Sequence, residues 1–226
     1  MPPASPKLLP PSQGPRLIVY HQTFHDQAGN YHSLIPLLTS NTGITHVIIA
    51  AIHINEDPSS LTLNDHAPDD ARYETLWSEV QWLQGSGVKV LGMLGGAARG
   101  SYERLTGLEE TVCELEVCRR CWLMDGQFEA YYKPLHALIS TRKLDGIDLD
   151  VEEVVPLHTI TKLIGRLRSD FGPDFLITMA PVATACMCFR AARPSSSRDA
   201  VPMASPISAL DTAIVPPRCR YIGGLH

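Results

Sequence analysis

The chain has 226 residues, of which 44% are hydrophobic and 19% charged, with a formal net charge of −5 and an isoelectric point near 6.0. That is enough apolar material for one core, and the length favours one domain. The acidic balance argues against a nucleic-acid partner. No segment approaches the roughly 20 apolar residues that span a bilayer, so no membrane partner is expected.

Residues 1–15 form a Pro-rich leader. Met1 to Pro11 contains no signal-like hydrophobic stretch, so the chain as written is expected to be cytoplasmic, with secretion left open if its natural N-terminus differs. Arg16 to His21 is an aliphatic and aromatic run that predicts a first strand. Thr45 to Ile54 predicts a second, with Val47, Ile48, Ile49, Ala50, Ala51 and Ile52 nearly continuous, as a strand buried on both faces of a parallel sheet requires. Behind the capping candidates Asp69 and Asp70, the residues Tyr73, Leu76, Trp77, Val80 and Leu83 recur at helical spacing, and Gly85 and Gly87 follow as stops. Val88 to Leu94 predicts a third strand, ending at Gly95-Gly96.

Phe128, Tyr131, Leu135, Leu138 and Ile139 predict the next helix, which Pro134 should kink or delay. Before it lies an atypical insertion, 108–126, holding Cys113, Cys118 and Cys121. The Cys118-x-x-Cys121 spacing lacks the second pair that a zinc site needs, and no metal is expected. Leu144 to Glu152 is the fourth strand. Ile160, Leu163, Ile164, Leu167 and Phe171 predict a helix after it, and Phe175 to Met179 a fifth strand, closed by Pro181. Strands alternating with helical patterns argue for βαβ units and an α/β fold. The histidines lack ligand spacing, and Gly95 to Gly100 lacks the Lys-Ser/Thr ending of a phosphate loop.

The fourth strand carries four acids within nine residues: Asp145, Asp148, Asp150 and Glu152. Alternate side chains of a strand share a face, so Asp148, Asp150 and Glu152 point one way while Ile147, Leu149 and Val151 point the other. Same-face neighbours stand roughly 7 Å apart. With the aliphatic face buried against helices, desolvation and like charge favour protonating at least one of the three near neutral pH. A carboxylic acid held protonated can serve as a general acid. Two other readings remain open on pattern alone: a solvated edge strand, and a divalent-metal site on Asp148 and Asp150 of the kind found in glycosyltransferases. The spacing does not fit a calcium loop.

Asp145-Gly146-Ile147-Asp148-Leu149-Asp150-Val151-Glu152 resembles the D-G-x-D-x-D-x-E signature of glycoside hydrolase family 18, the chitinases and their relatives. The resemblance covers roughly residues 16–185. It implies a (β/α)8 TIM barrel with the signature on its fourth strand, and hydrolysis of β-1,4-linked N-acetylglucosamine in chitin or its oligosaccharides without a cofactor. By this resemblance Glu152 is the general acid/base, Asp150 orients the substrate acetamido group and Asp148 supports Asp150, while Asp145 is structural. The substrate's own N-acetyl carbonyl would act as nucleophile, giving a retaining reaction through an oxazolinium intermediate.

Tyr20, Gly95, Gly96 and Met179 are the expected substrate-binding positions. For Tyr20 core packing is an equal alternative, and for the glycines simple turn geometry is one. Where the family commonly shows S-x-G-G, this chain has Met93-Leu94-Gly95-Gly96, so the glycines match and the Ser does not. After Thr184 no periodicity continues, and 186–226 reads as an irregular tail holding Cys186, Cys188 and Cys219. About 250 residues is usual for a closed barrel. About five βα units are therefore expected, as in a truncated member with weak or no activity as a free chain. A chitin-binding, lectin-like barrel without catalysis is the main alternative function, and a metal-dependent glycosyltransferase is a further one.

Overall fold

The computed structural model describes residues 15–106 and 119–180, the side chains of 119–125 excepted. The expected tail, the leader up to residue 14, most of the insertion and the side chains of all six cysteines lie outside these residues. Within them, strands β1 (Ile18–His21), β2 (His46–Ile54), β4 (Lys89–Gly95), β5 (Gly146–Asp150) and β6 (Leu176–Met179) form one sheet in the order β1-β2-β4-β5-β6. All four contacts along that path are parallel. A short strand absent from the sequence-based expectation, β3 (Leu61–Leu63), pairs antiparallel with the end of β2. The sheet is an arc of a TIM-type barrel, open among the described residues.

Helices follow the strands. α1 (Ile35–Thr39) and α2 (Glu74–Gly85) precede β4, α3 (Ser101–Thr106) and α4 (Arg119–Arg142) precede β5, and α5 (Leu157–Phe171) lies between β5 and β6. Asp70 caps the 3-10 turn that leads into α2, accepting the Arg72 N–H at 2.9 Å. Pro134 does not interrupt α4. The carbonyl that loses its partner there belongs to Ala130, an exposed residue whose backbone water can reach.

Strand parity divides the core in two. Val19, Val47, Ile49, Val90, Leu94, Ile147, Leu149 and Ile177 face the helices and form the large cluster with Leu76, Leu135 and Leu163. Ile48, Ala50, Ala51, Leu91 and Met93 form a smaller cluster on the concave face, with Ile18 and Leu176 against it. The register of β2 with β4 slips between Ile49 and Ile52, which would leave backbone groups unpaired. Asn64 takes them up: its Oδ1 accepts the Ala51 N–H at 2.8 Å and its N–H donates to the Ala51 carbonyl at 2.7 Å.

Candidate active site

β5 ends at Asp150, so strand parity applies to Asp148 and Asp150, while Glu152 lies beyond the strand. Ile147, Leu149 and Val151 are fully buried under the helices. Asp148 is 1% exposed on the concave face, between Met93 of β4 and Thr178 of β6 in register. Tyr20 donates its hydroxyl to Asp148 Oδ2 at 2.9 Å, and Thr178 donates to Oδ1. One residue from each of two strands, β1 and β6, thus converges on a carboxyl group carried by a third, β5.

Burial pushes the Asp148 carboxyl above the usual carboxylate range, and the hydroxyls of Thr178 and Tyr20 pull in the opposite direction. Asp150, at the carboxyl end of β5, has its pKa raised to about 6, first by burial and then by the charges of Glu152 and Asp148. A carboxyl group with this pKa is mostly charged at pH 7 and takes up its proton on the acid side of neutrality. Glu152 follows the strand end, half-buried. It borders a hollow of about 830 Å³ with Arg99, Glu103, Arg104 and Tyr131.

Gly95 and Gly96 are both at the site. Their backbone adopts φ of +97° and +93°, which residues with a Cβ rarely adopt. A Cβ on Gly95 would lie 2.4 Å from the Asp150 carbonyl oxygen and 2.6 Å from the Tyr102 ring. One on Gly96 would lie 3.5 Å from Asp150 Oδ2. The close approach these glycines allow is therefore first to the chain itself, and it packs the end of β4 against the end of β5.

Met179 is not brought to the acids. It pairs with Leu149 and packs against the helix-side cluster. Its neighbour Thr178 is the β6 residue on the acid face, and a one-residue step in a strand reverses the face. Tyr20 is 47% exposed while holding Asp148, so it is neither core filler nor remote from the acids.

Asp145 sits at the opposite end of β5. Its carboxylate accepts from Lys89 Nζ at 2.7 Å, Gln84 Nε2 at 2.9 Å and the Val90 N–H at 2.9 Å. Two residues escaped the sequence reading. Thr178 is one, and Glu153 is the other: its carboxylate accepts the N–H groups of Gly100 at 3.0 Å and Tyr102 at 2.9 Å, capping α3. A Glu immediately after the signature carries no signal of its own.

Among the described residues no group of three or more His, Cys, Asp or Glu side chains is arranged to hold a metal ion. None of the described helices is long and apolar enough to cross a membrane. A parallel α/β arc with a row of acids at the carboxyl end of one strand is the architecture of a barrel enzyme's catalytic face.

The chain is similar to a chitinase, ChiC, from Aspergillus fumigatus, with 50% identity and a TM-score of 0.66, covering 76% of this chain and 56% of that one. It is also similar to a fungal endo-β-N-acetylglucosaminidase from glycosyl hydrolase family 18, with 43% identity and a TM-score of 0.65, covering 75% and 56%. A family 18 chitinase from Pseudoalteromonas aurantia shares the fold at 21% identity and a TM-score of 0.52, covering 74% and 56%. No family model matches the chain, and a comparison with curated proteins finds no match. The chain belongs to glycoside hydrolase family 18. It spans a little over half the length of these solved relatives.

Proposed function

We propose that the protein is a chitinase-like glycoside hydrolase that cleaves β-1,4 linkages between N-acetylglucosamine units with substrate assistance and retention. The observation that carries this reading is the concave-face row of Asp148 and Asp150, with Glu152 beside Asp150. Its support is the likeness to a fungal chitinase and a fungal endo-β-N-acetylglucosaminidase.

Glu152 protonates the leaving glycosidic oxygen. The substrate's acetamido carbonyl attacks the anomeric carbon and forms an oxazolinium ion, and Glu152 then takes a proton from the incoming water. Asp150 orients the acetamido group and accepts its N–H, and its charge steadies the cation. A carboxyl group with a pKa near 6 changes protonation easily at neutral pH. Asp148 is held in place next to Asp150 by two hydroxyls, which oppose the upward push of burial on its carboxyl. Tyr20, Gly95 and Gly96 shape the wall of the site.

The test is release of N-acetylglucosamine oligomers from chitin by the wild type and Glu152→Gln, each with and without divalent metal. Release by the wild type alone, unaffected by metal, supports the reading. Release unaffected by Glu152→Gln overturns the mechanism, binding without release favours a lectin-like role, and metal dependence favours a transferase-type site.

A further inference from the structure

We propose that Thr178 is a positioning residue of the acid row, supplying from β6 the second hydroxyl that fixes Asp148, a hydroxyl that its other strand neighbour, Met93, cannot supply. Asp148 pairs in register with Met93 on one side and Thr178 on the other. Met93 is buried and offers only a thioether, a weak acceptor with no donor. An Asp 1% exposed needs donors for both oxygens. Tyr20 reaches Oδ2 from β1 and Thr178 reaches Oδ1 from β6. The Thr side chain is stiff about its first torsion, and ladder pairing of Asp148 with Thr178 and Leu149 with Met179 holds its backbone.

Two hydroxyls donating to the same carboxyl group favour its charged form. Thr178 thereby biases the proton of the row away from Asp148 and onto Asp150. The titratable groups that face Asp148 are Asp150 on its own strand, Tyr20 from β1 and Tyr102 from α3, and Glu152 acts on Asp150. Met93 and Thr178 bring no charge. This inference deepens the proposed hydrolase site and rests on it for its kinetic consequence, but not for its structural one.

The test uses the whole chain with carboxyl-carbon-labelled aspartate, titrated by NMR in the wild type, Thr178→Val and Thr178→Ser, with Asp148→Asn and Asp150→Asn for assignment. Thr178→Val keeps the shape and removes the hydroxyl. It is expected to raise the proton affinity of Asp148 about tenfold and leave Asp145 unmoved, while Thr178→Ser restores the wild-type curve. If Thr178→Val does not fold, Thr178→Ala replaces it.

On chitooligosaccharides Thr178→Val should lower kcat about tenfold or more with KM little changed and displace the acid limb of the pH profile, and Thr178→Ser should recover both. An Asp148 titration unchanged by loss of the hydroxyl, or equally changed in Thr178→Ser, overturns the inference. A wild type that hydrolyses nothing overturns the proposal that this chain is an active hydrolase instead, and the titration still decides the role of Thr178.

Discussion

Gly96 and Asp150 meet at two points: the Gly96 N–H donates to the Asp150 carbonyl at 3.0 Å, and the space a Cβ would fill on Gly96 lies 3.5 Å from Asp150 Oδ2. Gly95 is closer still to the same residue. The turn after β4 thus builds one wall of the site from backbone alone. Gly95→Ala is expected to destabilise the fold by about 3 kcal/mol, because it combines an unfavourable φ with overlap on backbone and a buried ring. Gly96→Ala should cost about 1–2 kcal/mol, its nearest contact being the end of the flexible Met93 side chain at 3.2 Å. Urea melts of the two variants check the order.

The four acids of the signature divide by position. Asp145 lies at the amino end of β5, roughly 16 Å from the strand's other end at about 3.3 Å per residue. There it ties β5 to β4 and α2. Asp145→Ala is expected to cost about 1–3 kcal/mol by leaving the Val90 N–H without its side-chain acceptor, while the Gln84 amide keeps the Lys143 carbonyl. The exposed half of the Lys89 pair adds little. Denaturant melts measure the loss, and kcat of the folded fraction should stay at the wild-type value.

Two groups give opposite pH dependences of stability. His21 is a half-buried base with its pKa lowered to about 4, chiefly by burial, and its buried Nε2 has no hydrogen-bond partner among the described residues. The unfolded chain takes up a proton near pH 6.5 and the folded one only near pH 4, so stability falls as pH drops through that window. Asp150, raised to about 6, behaves in the reverse sense: its folded form takes up a proton first, so stability rises as pH drops from about 6 toward 4.

Accordingly, His21→Leu should remove about 2 kcal/mol of the acid sensitivity between pH 6.5 and 4.5, to which His46 and His53, also lowered by burial, contribute in the same sense. Asp150→Asn should stabilise the protein at pH 7 by about 1–2 kcal/mol, discounted for its partial exposure. Chemical denaturation at pH 7.0 and 4.5 of both variants and the wild type measures each sign.

Much of this was legible in the chain itself. Val47 to Ile52 reads as a doubly buried strand, and the alternation from Ile147 to Val151 separates a buried aliphatic face from the face that carries Asp148. What stayed hidden depends on register between strands. Thr178 and Met179 are adjacent, and only the pairing of β6 with β5 decides which of them faces Asp148. Glu153 acts on backbone amides some fifty residues earlier, a contact that no local pattern encodes. β3, with three residues, and α3, with six, are too short for periodicity to show. The continuity of α4 through Pro134 depends on Ala130 being exposed, which is a property of the packed molecule.

In the proposed mechanism Glu152, and not the acid beside it, transfers the proton. The two glutamates are adjacent in sequence and border the same hollow, but the Glu153 carboxylate is committed to the N–H groups of Gly100 and Tyr102. The decisive measurement is the initial rate of chitooligosaccharide cleavage by Glu152→Gln set beside Glu153→Gln, both checked for folding by circular dichroism. Loss of at least about 10²-fold in Glu152→Gln, with Glu153→Gln within about tenfold of the wild type, is the predicted result. Equal rates in Glu152→Gln and the wild type, or a larger loss in Glu153→Gln than in Glu152→Gln, would contradict it.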